Sequence, residues 1–191
     1  MPTPLRCLPL LFLLFAASCA VKPIIPPSDT LDPQNHADIL KNVLQHGDWL
    51  VTRGVHGADN FVATVTRMPF SHASIYDAEH DGVIEAEGVG VHRTPLEEFI
   101  TKSQRILVIR PMWATGENMH GAVQRARNWI GKGYNFTGLA GLGTPDRYYC
   151  SQLCIEAYRP FITENPDNPI PLIVPPGNMY FWGRILYDSG P

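Results

Sequence analysis

Apolar positions recur along this chain in two periods, and the changes from one to the other outline its elements. Ile39, Leu40, Val43 and Leu44 fall on one face of a helix over Asp38–Gln45, which Gly47 ends. Asp48–Arg53 is rich in β-formers and closes at Gly54, a first strand. Asn60–Arg67 fits either period. Ser71–Asp77 and Gly82–Ala86 read as an antiparallel hairpin across the polar run Ala78-Glu79-His80-Asp81, and Gly90–Arg93 as a third short strand. Thr94-Pro95-Leu96-Glu97-Glu98 has a cap residue, a proline at the first helical position and early acidic side chains, the marks of a helix start. Ile106–Arg110 is a further strand, closed by Pro111. Thr115–Ile130 is the longest helix, with Met119, Ala122, Val123, Ala126, Trp129 and Ile130 on one face and Gly131 and Gly133 stopping it. Cys150, Leu153, Cys154, Ala157 and Tyr158 repeat the helical spacing up to Pro160. A proline-heavy loop over 166–176 and a closing strand over Tyr180–Leu186 follow. This interleaving implies an α+β domain, an antiparallel sheet packed on helices.

The N-terminal stretch follows neither period. Arg6 precedes the apolar run Leu8–Ala17, too short to cross a bilayer and ending in Ala16-Ala17-Ser18-Cys19. Small residues before a cysteine resemble a bacterial lipobox, with Ala16 where such motifs usually carry Leu. Residues 1–18 are therefore expected to be a lipoprotein signal peptide, Cys19 the lipidated residue, and 19–36 a proline-rich tether; ordinary secretion with cleavage near Ser18 is the rival reading. The domain itself is expected over 37–191. Without Asp after Cys19, the expected location is the cell envelope, facing the periplasm and anchored in the outer rather than the inner membrane.

Composition narrows the partners. A net charge of -3 and a pI near 6.1 leave no basic footprint for nucleic acid. Four cysteines are present, of which Cys7 leaves with the signal and Cys19 takes lipid. Cys150 and Cys154 remain, on one helix face where a mutual disulfide has poor geometry. Free thiols in an oxidising compartment point to use. The histidines show no close ligand spacing, and Cys150 with Cys154 is not a zinc pair, so no metal and no cofactor is expected.

The candidate chemistry begins at Cys150. A thiol at a helix start meets unpaired backbone N–H groups and the positive end of the dipole, which favour thiolate. His72 stands on the first strand of the hairpin and Glu85 on the second, with Glu87 on the same face as Glu85 and an alternative orienter. Cys150 as nucleophile, His72 as proton acceptor and donor, and Glu85 as orienter make an acyl-transfer set, with the Cys150 backbone N–H in an oxyanion hole. Taken singly each residue has a plainer role: Cys154 in particular reads as core filler. Trp49, Tyr134, Phe136 and Tyr149 hint at an apolar cleft.

Pro-Phe-Ser-His72-Ala-Ser-Ile-Tyr, Val-Ile-Glu85-Ala-Glu-Gly-Val-Gly-Val, Thr-Pro-Leu-Glu-Glu-Phe and Tyr-Tyr-Cys150-Ser-Gln-Leu, in that order, resemble the YaeF/YiiX family, circularly permuted papain-like amidases of the NlpC superfamily. Gly47–Gly54 resembles the family's opening strand and Gly133-Tyr-Asn-Phe136 a later segment. The resemblance runs from about Gly47 to about Tyr187. It implies a permuted papain-like fold with Cys150, His72 and Glu85 as catalytic residues. The family commonly has Glu where this chain has Gln152. Unpermuted wall peptidases hold substrate with an Asp before the cysteine and the Ser after it; here Ser151 is kept but Tyr149 takes the Asp's place, so stem-peptide specificity does not carry over. The expected function is a lipid-anchored cysteine hydrolase or acyltransferase acting on an amide or ester of a peptide, N-acyl or lipid-type envelope substrate. The alternative is a non-catalytic envelope-binding module that keeps the cleft.

Overall fold

The strand periodicity becomes a six-stranded sheet, antiparallel throughout, in the order β4-β3-β2-β1-β5-β8. The structure is a computed structural model that describes residues 31–138 and 141–190. The signal peptide, Cys19 and the tether as far as residue 30 lie outside the described residues. Among the described residues no helix is long and apolar enough to cross a membrane. The strands are β1 (Trp49–Gly54), β2 (His72–Asp77), β3 (Gly82–Glu87), β4 (Gly90–Pro95), β5 (Ser103–Pro111) and β8 (Gly183–Asp188). A short parallel pair, β6 (Gly133–Tyr134) with β7 (Arg147–Tyr148), leads into the cysteine helix.

β1 is central and buried almost throughout, because helices cover both sheet faces. Strand parity sorts its side chains. Trp49 and Val51 join Ala73, Ile75, Ile84 and Ile109 under α4 (Gly116–Arg127) and α5 (Cys150–Tyr158). Leu50 joins Val83, Ile106 and Val108 under α1 (Pro33–Val43) and α3 (Leu96–Thr101). α2 (Gly57–Thr66) buries none of its residues fully and hangs beside the end of β1.

Boundaries moved where local chemistry outweighed periodicity. α1 begins at Pro33 rather than Asp38, because Asp32 caps Gln34 N–H and the proline sits at the first helical position; residues 33–36, read as tether, are its first turn. The ambiguous stretch after Asn60 is α2, whose C-cap Arg67 is left-handed (φ 55°). Thr94 does not cap α3. It stays in β4, buried opposite Val83, and Pro95 takes the N-cap place. α4 keeps its Thr115 cap, which accepts Asn118 N–H at 3.2 Å, but ends at Arg127. The closing strand starts at Gly183, after a 3-10 helix over Pro176–Trp182.

Candidate active site

His72 is the first residue of β2, paired across to Thr52 of β1. On the other side of β2 the register sets Glu85 opposite Ser74, so His72 is Glu85's diagonal neighbour on the same face. Its Nε2 lies 2.7 Å from Glu85 Oε2. Cys150 is the first residue of α5, which packs on β2 and brings the thiol beside His72. With Nε2 turned to the carboxylate, Nδ1 is the nitrogen left for the sulfur. Cys150 is 6% exposed, Glu85 1%.

The electrostatics follow from this packing. Burial disfavours the His72 imidazolium, but the adjacent Cys150 thiol and the hydrogen bond to Glu85, with the attraction of their charges, outweigh it, and the pKa stands well above the usual histidine value. Burial likewise pushes the Glu85 carboxyl up, and the hydrogen bonds from His72 and Thr94 together with the nearby His92 more than reverse that, so it is held ionised far below the usual range. The Thr94 hydroxyl donates to Glu85 Oε1. His92 donates Nδ1–H to Gly90 O at 3.0 Å and sets Nε2 3.5 Å from both Glu85 and Glu87. Cys154 is fully buried, its thiol pKa pushed well above the ordinary value by desolvation, so it stays a core residue.

The helix that presents Cys150 is anchored at its start. Gln152 Oε1 accepts Tyr149 N–H at 3.3 Å and Asn135 Nδ2 at 3.4 Å, tying the loop after β6 to α5. Ser151, fully buried, donates its hydroxyl to Val174 O at 2.5 Å, so its side chain holds the helix rather than facing a substrate. On the histidine side, Asp59 of α2 accepts Ser71 Oγ at 2.7 Å and His56 N–H at 2.9 Å, and Ser71 in turn accepts Gly54 N–H at 3.0 Å. These bonds fix the residue just before His72.

The candidate cleft aromatics divide. Trp49 is wholly buried, edge-on to Trp113 and Tyr158; its parity in β1 turns it under α5 and away from solvent, so it belongs to the core. Tyr149 is 3% exposed and packs beside Gly138, forming wall rather than surface. Tyr134 lies near Cys150, Glu87, Tyr149 and Asp59, with burial and those negative charges raising its pKa, and its ring meets the exposed Phe136 at 4.7 Å. It remains the aromatic at the cleft.

Two features escaped linear reading. Thr94 and His92 support Glu85 from the next strand; the alternation of β4 carried that signal, but Thr94-Pro95 reads locally as a helix start. His72, Glu85 and Glu87 also bring one ligand atom each within 4.8 Å of one another, a candidate metal set that sequence spacing hides because the sheet register assembles it. Beside them is a cavity of about 20 Å³, bordered also by His56, Asp59 and Lys102. A larger cavity of about 270 Å³ lies around Trp113, Arg159 and Trp182, and none of the candidate residues lines it.

Comparison with known proteins bears on the fold and the family. The crystal structure of YiiX from Escherichia coli O157:H7, described as a metalloprotein, superposes with a TM-score of 0.54 at 24% identity, covering 63% of this chain and 67% of that one. That likeness concerns the fold. No curated protein matches. Residues 43–167 match the family described as permuted papain-like amidase enzyme, YaeF/YiiX, C92 family. With a histidine strand and a carboxylate strand preceding the cysteine helix in a mixed α+β fold, this chain belongs to the YaeF/YiiX family of permuted papain-like amidases.

Proposed function

We propose that the protein is a cysteine hydrolase that cleaves an amide or ester through an acyl-thioester on Cys150. The observation that carries this reading is the Cys150 thiol set beside His72 at the start of α5, with the buried hydrogen bonds His72–Glu85–Thr94 behind it. His72 takes the thiol proton and, as imidazolium held by Glu85, faces the thiolate. Sulfur attacks the carbonyl carbon, and the Cys150 N–H, at a helix position with no intrahelical acceptor, stabilises the oxyanion. Collapse gives the thioester, and His72 returns its proton to the leaving amine or alcohol. Water, deprotonated by His72, then releases the acid and the thiol; an amine or alcohol in place of water makes the same steps a transfer.

The substrate is proposed to be a peptide, N-acyl or lipid-type component of the cell envelope, reached by a domain held on its membrane through lipid at Cys19. The expected destination is the outer membrane, with the domain facing the periplasm. Fractionation of cells making the wild type and Cys19→Ala checks this part: the wild type should sediment with membranes and the variant should not.

A thiol-directed acylating probe tests the chemistry. Cys150 is expected to label and Cys150→Ala not to, with circular dichroism unchanged. An unlabelled wild type would support the rival reading, a binding module that keeps the cleft without the reaction. The relative's description as a metalloprotein favours one addition. We propose that this chain also takes a divalent metal, with His72, Glu85 and Glu87 as its ligands. An imidazole nitrogen with two carboxylates is a donor set that suits zinc, and the adjoining cavity is ion-sized.

A further inference from the structure

We propose that metal binding and acyl chemistry exclude one another in this protein, because the ion takes the atoms that the catalytic proton occupies. The inference rests on both readings above. His72 Nε2 and Glu85 Oε2 are 2.7 Å apart, with one proton between them. A chelate on His72, Glu85 and Glu87 needs that nitrogen's lone pair, so the proton leaves to solvent and a nitrogen–metal bond replaces the N–H bond. Nδ1 then carries the ring's only proton. His72 can donate to the Cys150 thiolate but cannot accept a thiol proton, nor form the imidazolium that the leaving group needs. Glu85 loses its hold on the ring at the same time. Glu87 is the residue that tells the two states apart. It makes no contact with His72 in the hydrogen-bonded line, yet its carboxylate is placed to complete the chelate, and His92 Nε2, 3.5 Å from both glutamates, stands ready to support it.

A second cluster, His46, Glu79 and His120, also gathers ligand atoms within 4.8 Å. It is the weaker site. His46 Nδ1 already accepts Ala78 N–H at 3.2 Å, and Arg127 holds Glu79 Oε2 at 2.8 Å. A bond to the ring's other nitrogen would require Nδ1 to be the protonated one, and the Ala78 contact opposes that.

The experiment uses the full chain, stripped with chelator and titrated with zinc, with bound metal counted by mass spectrometry and heat and proton release read by calorimetry. One zinc per chain, binding with proton release, is expected in the wild type and in Cys150→Ser. Glu87→Gln and His72→Ala should bind on the order of tenfold more weakly or worse. The half-exposed Glu87 keeps the test valid if His72→Ala fails to fold. Labelling of Cys150 by the acylating probe should fall along the same zinc titration and return on chelation. Zinc binding lost in Cys150→Ser places the ion on the thiol and overturns the proposal. So does binding kept in Glu87→Gln but lost in His120→Ala, or labelling unchanged at saturating zinc. A wild type that never labels, with or without zinc, defeats the hydrolase reading and the exclusion built on it, while the binding arm still decides the metal site alone.

Discussion

Glu85 is the residue on which the site turns. Its carboxylate is buried, so every contact it makes acts in a medium that weakens charges little. It holds His72 with one oxygen and takes the Thr94 hydroxyl with the other. Glu85→Gln keeps the shape but removes the charge facing the imidazolium. It should slow Cys150 labelling on the order of 10²-fold or more, as measured by the second-order rate of probe attachment. Thr94 acts one bond further out. A hydrogen bond to a buried charge has a net worth of about 1.5–3 kcal/mol, so Thr94→Val should slow labelling roughly tenfold or more and Thr94→Ser should recover most of it. If Thr94 only filled space, Val would serve and Ser would not, and the two variants would rank the other way.

At the scale of elements, α5 works because its first turn is tied down. Gln152 accepts the N-cap residue's own N–H and the Asn135 amide, and both bonds need only an acceptor at its side-chain oxygen. Gln152→Glu should therefore preserve both and gain roughly 0.3–1 kcal/mol from a negative charge at the helix start, whereas Gln152→Ala should lose stability; urea denaturation separates the two. The family's common Glu at this place fits the same geometry. The far end of α5 has a different lock. Tyr158 donates its hydroxyl to Gly47 O at 2.9 Å, and Gly47 adopts φ +92°. A Cβ there would lie 2.7 Å from Tyr158 Oη and 3.0 Å from Met119 Cα. Gly47→Ala should cost about 2 kcal/mol or more, seen as a lowered Tm.

Across the whole molecule, Asp77 joins elements that the chain order separates. It is fully buried at the end of β2 and takes Arg127 from α4, Arg93 from β4 at 2.9 Å and His80 at 3.0 Å. Burial alone would raise its pKa, but the two guanidinium groups bring it from 3.8 down to about 2. A carboxyl depressed in the folded state stabilises fully above its unfolded pKa, and that contribution is lost as pH falls through the folded value. Asp77→Asn should therefore cost roughly 2–3 kcal/mol at neutral pH. The gap between wild type and variant should close as pH falls from about 4 toward 2, in equilibrium unfolding at a series of pH values.

The sequence by itself determined what depends on near neighbours. Helical spacing placed Cys150 at a helix start, strand alternation put Glu85 and Glu87 on one face, and a short polar turn made β2 and β3 an antiparallel hairpin with His72 within reach of both. The core position of Cys154 was equally legible, since apolar periodicity alone assigns it. Only the tertiary structure decided what depends on register and on packing between distant segments. The register set Ser74 opposite Glu85, so His72 reaches Glu85 on the diagonal, and it is Glu85 rather than Glu87 that takes the 2.7 Å bond. Thr94 looked like a cap because local propensity is blind to the buried carboxylate across the sheet that claims its hydroxyl. Trp49 looked like a cleft residue because an aromatic strand position has the same spelling whether the face is open or covered, and α5, a hundred residues later in the chain, covers it. Short-range periodicity thus sets which residues could take part, while strand register and long-range burial select those that do.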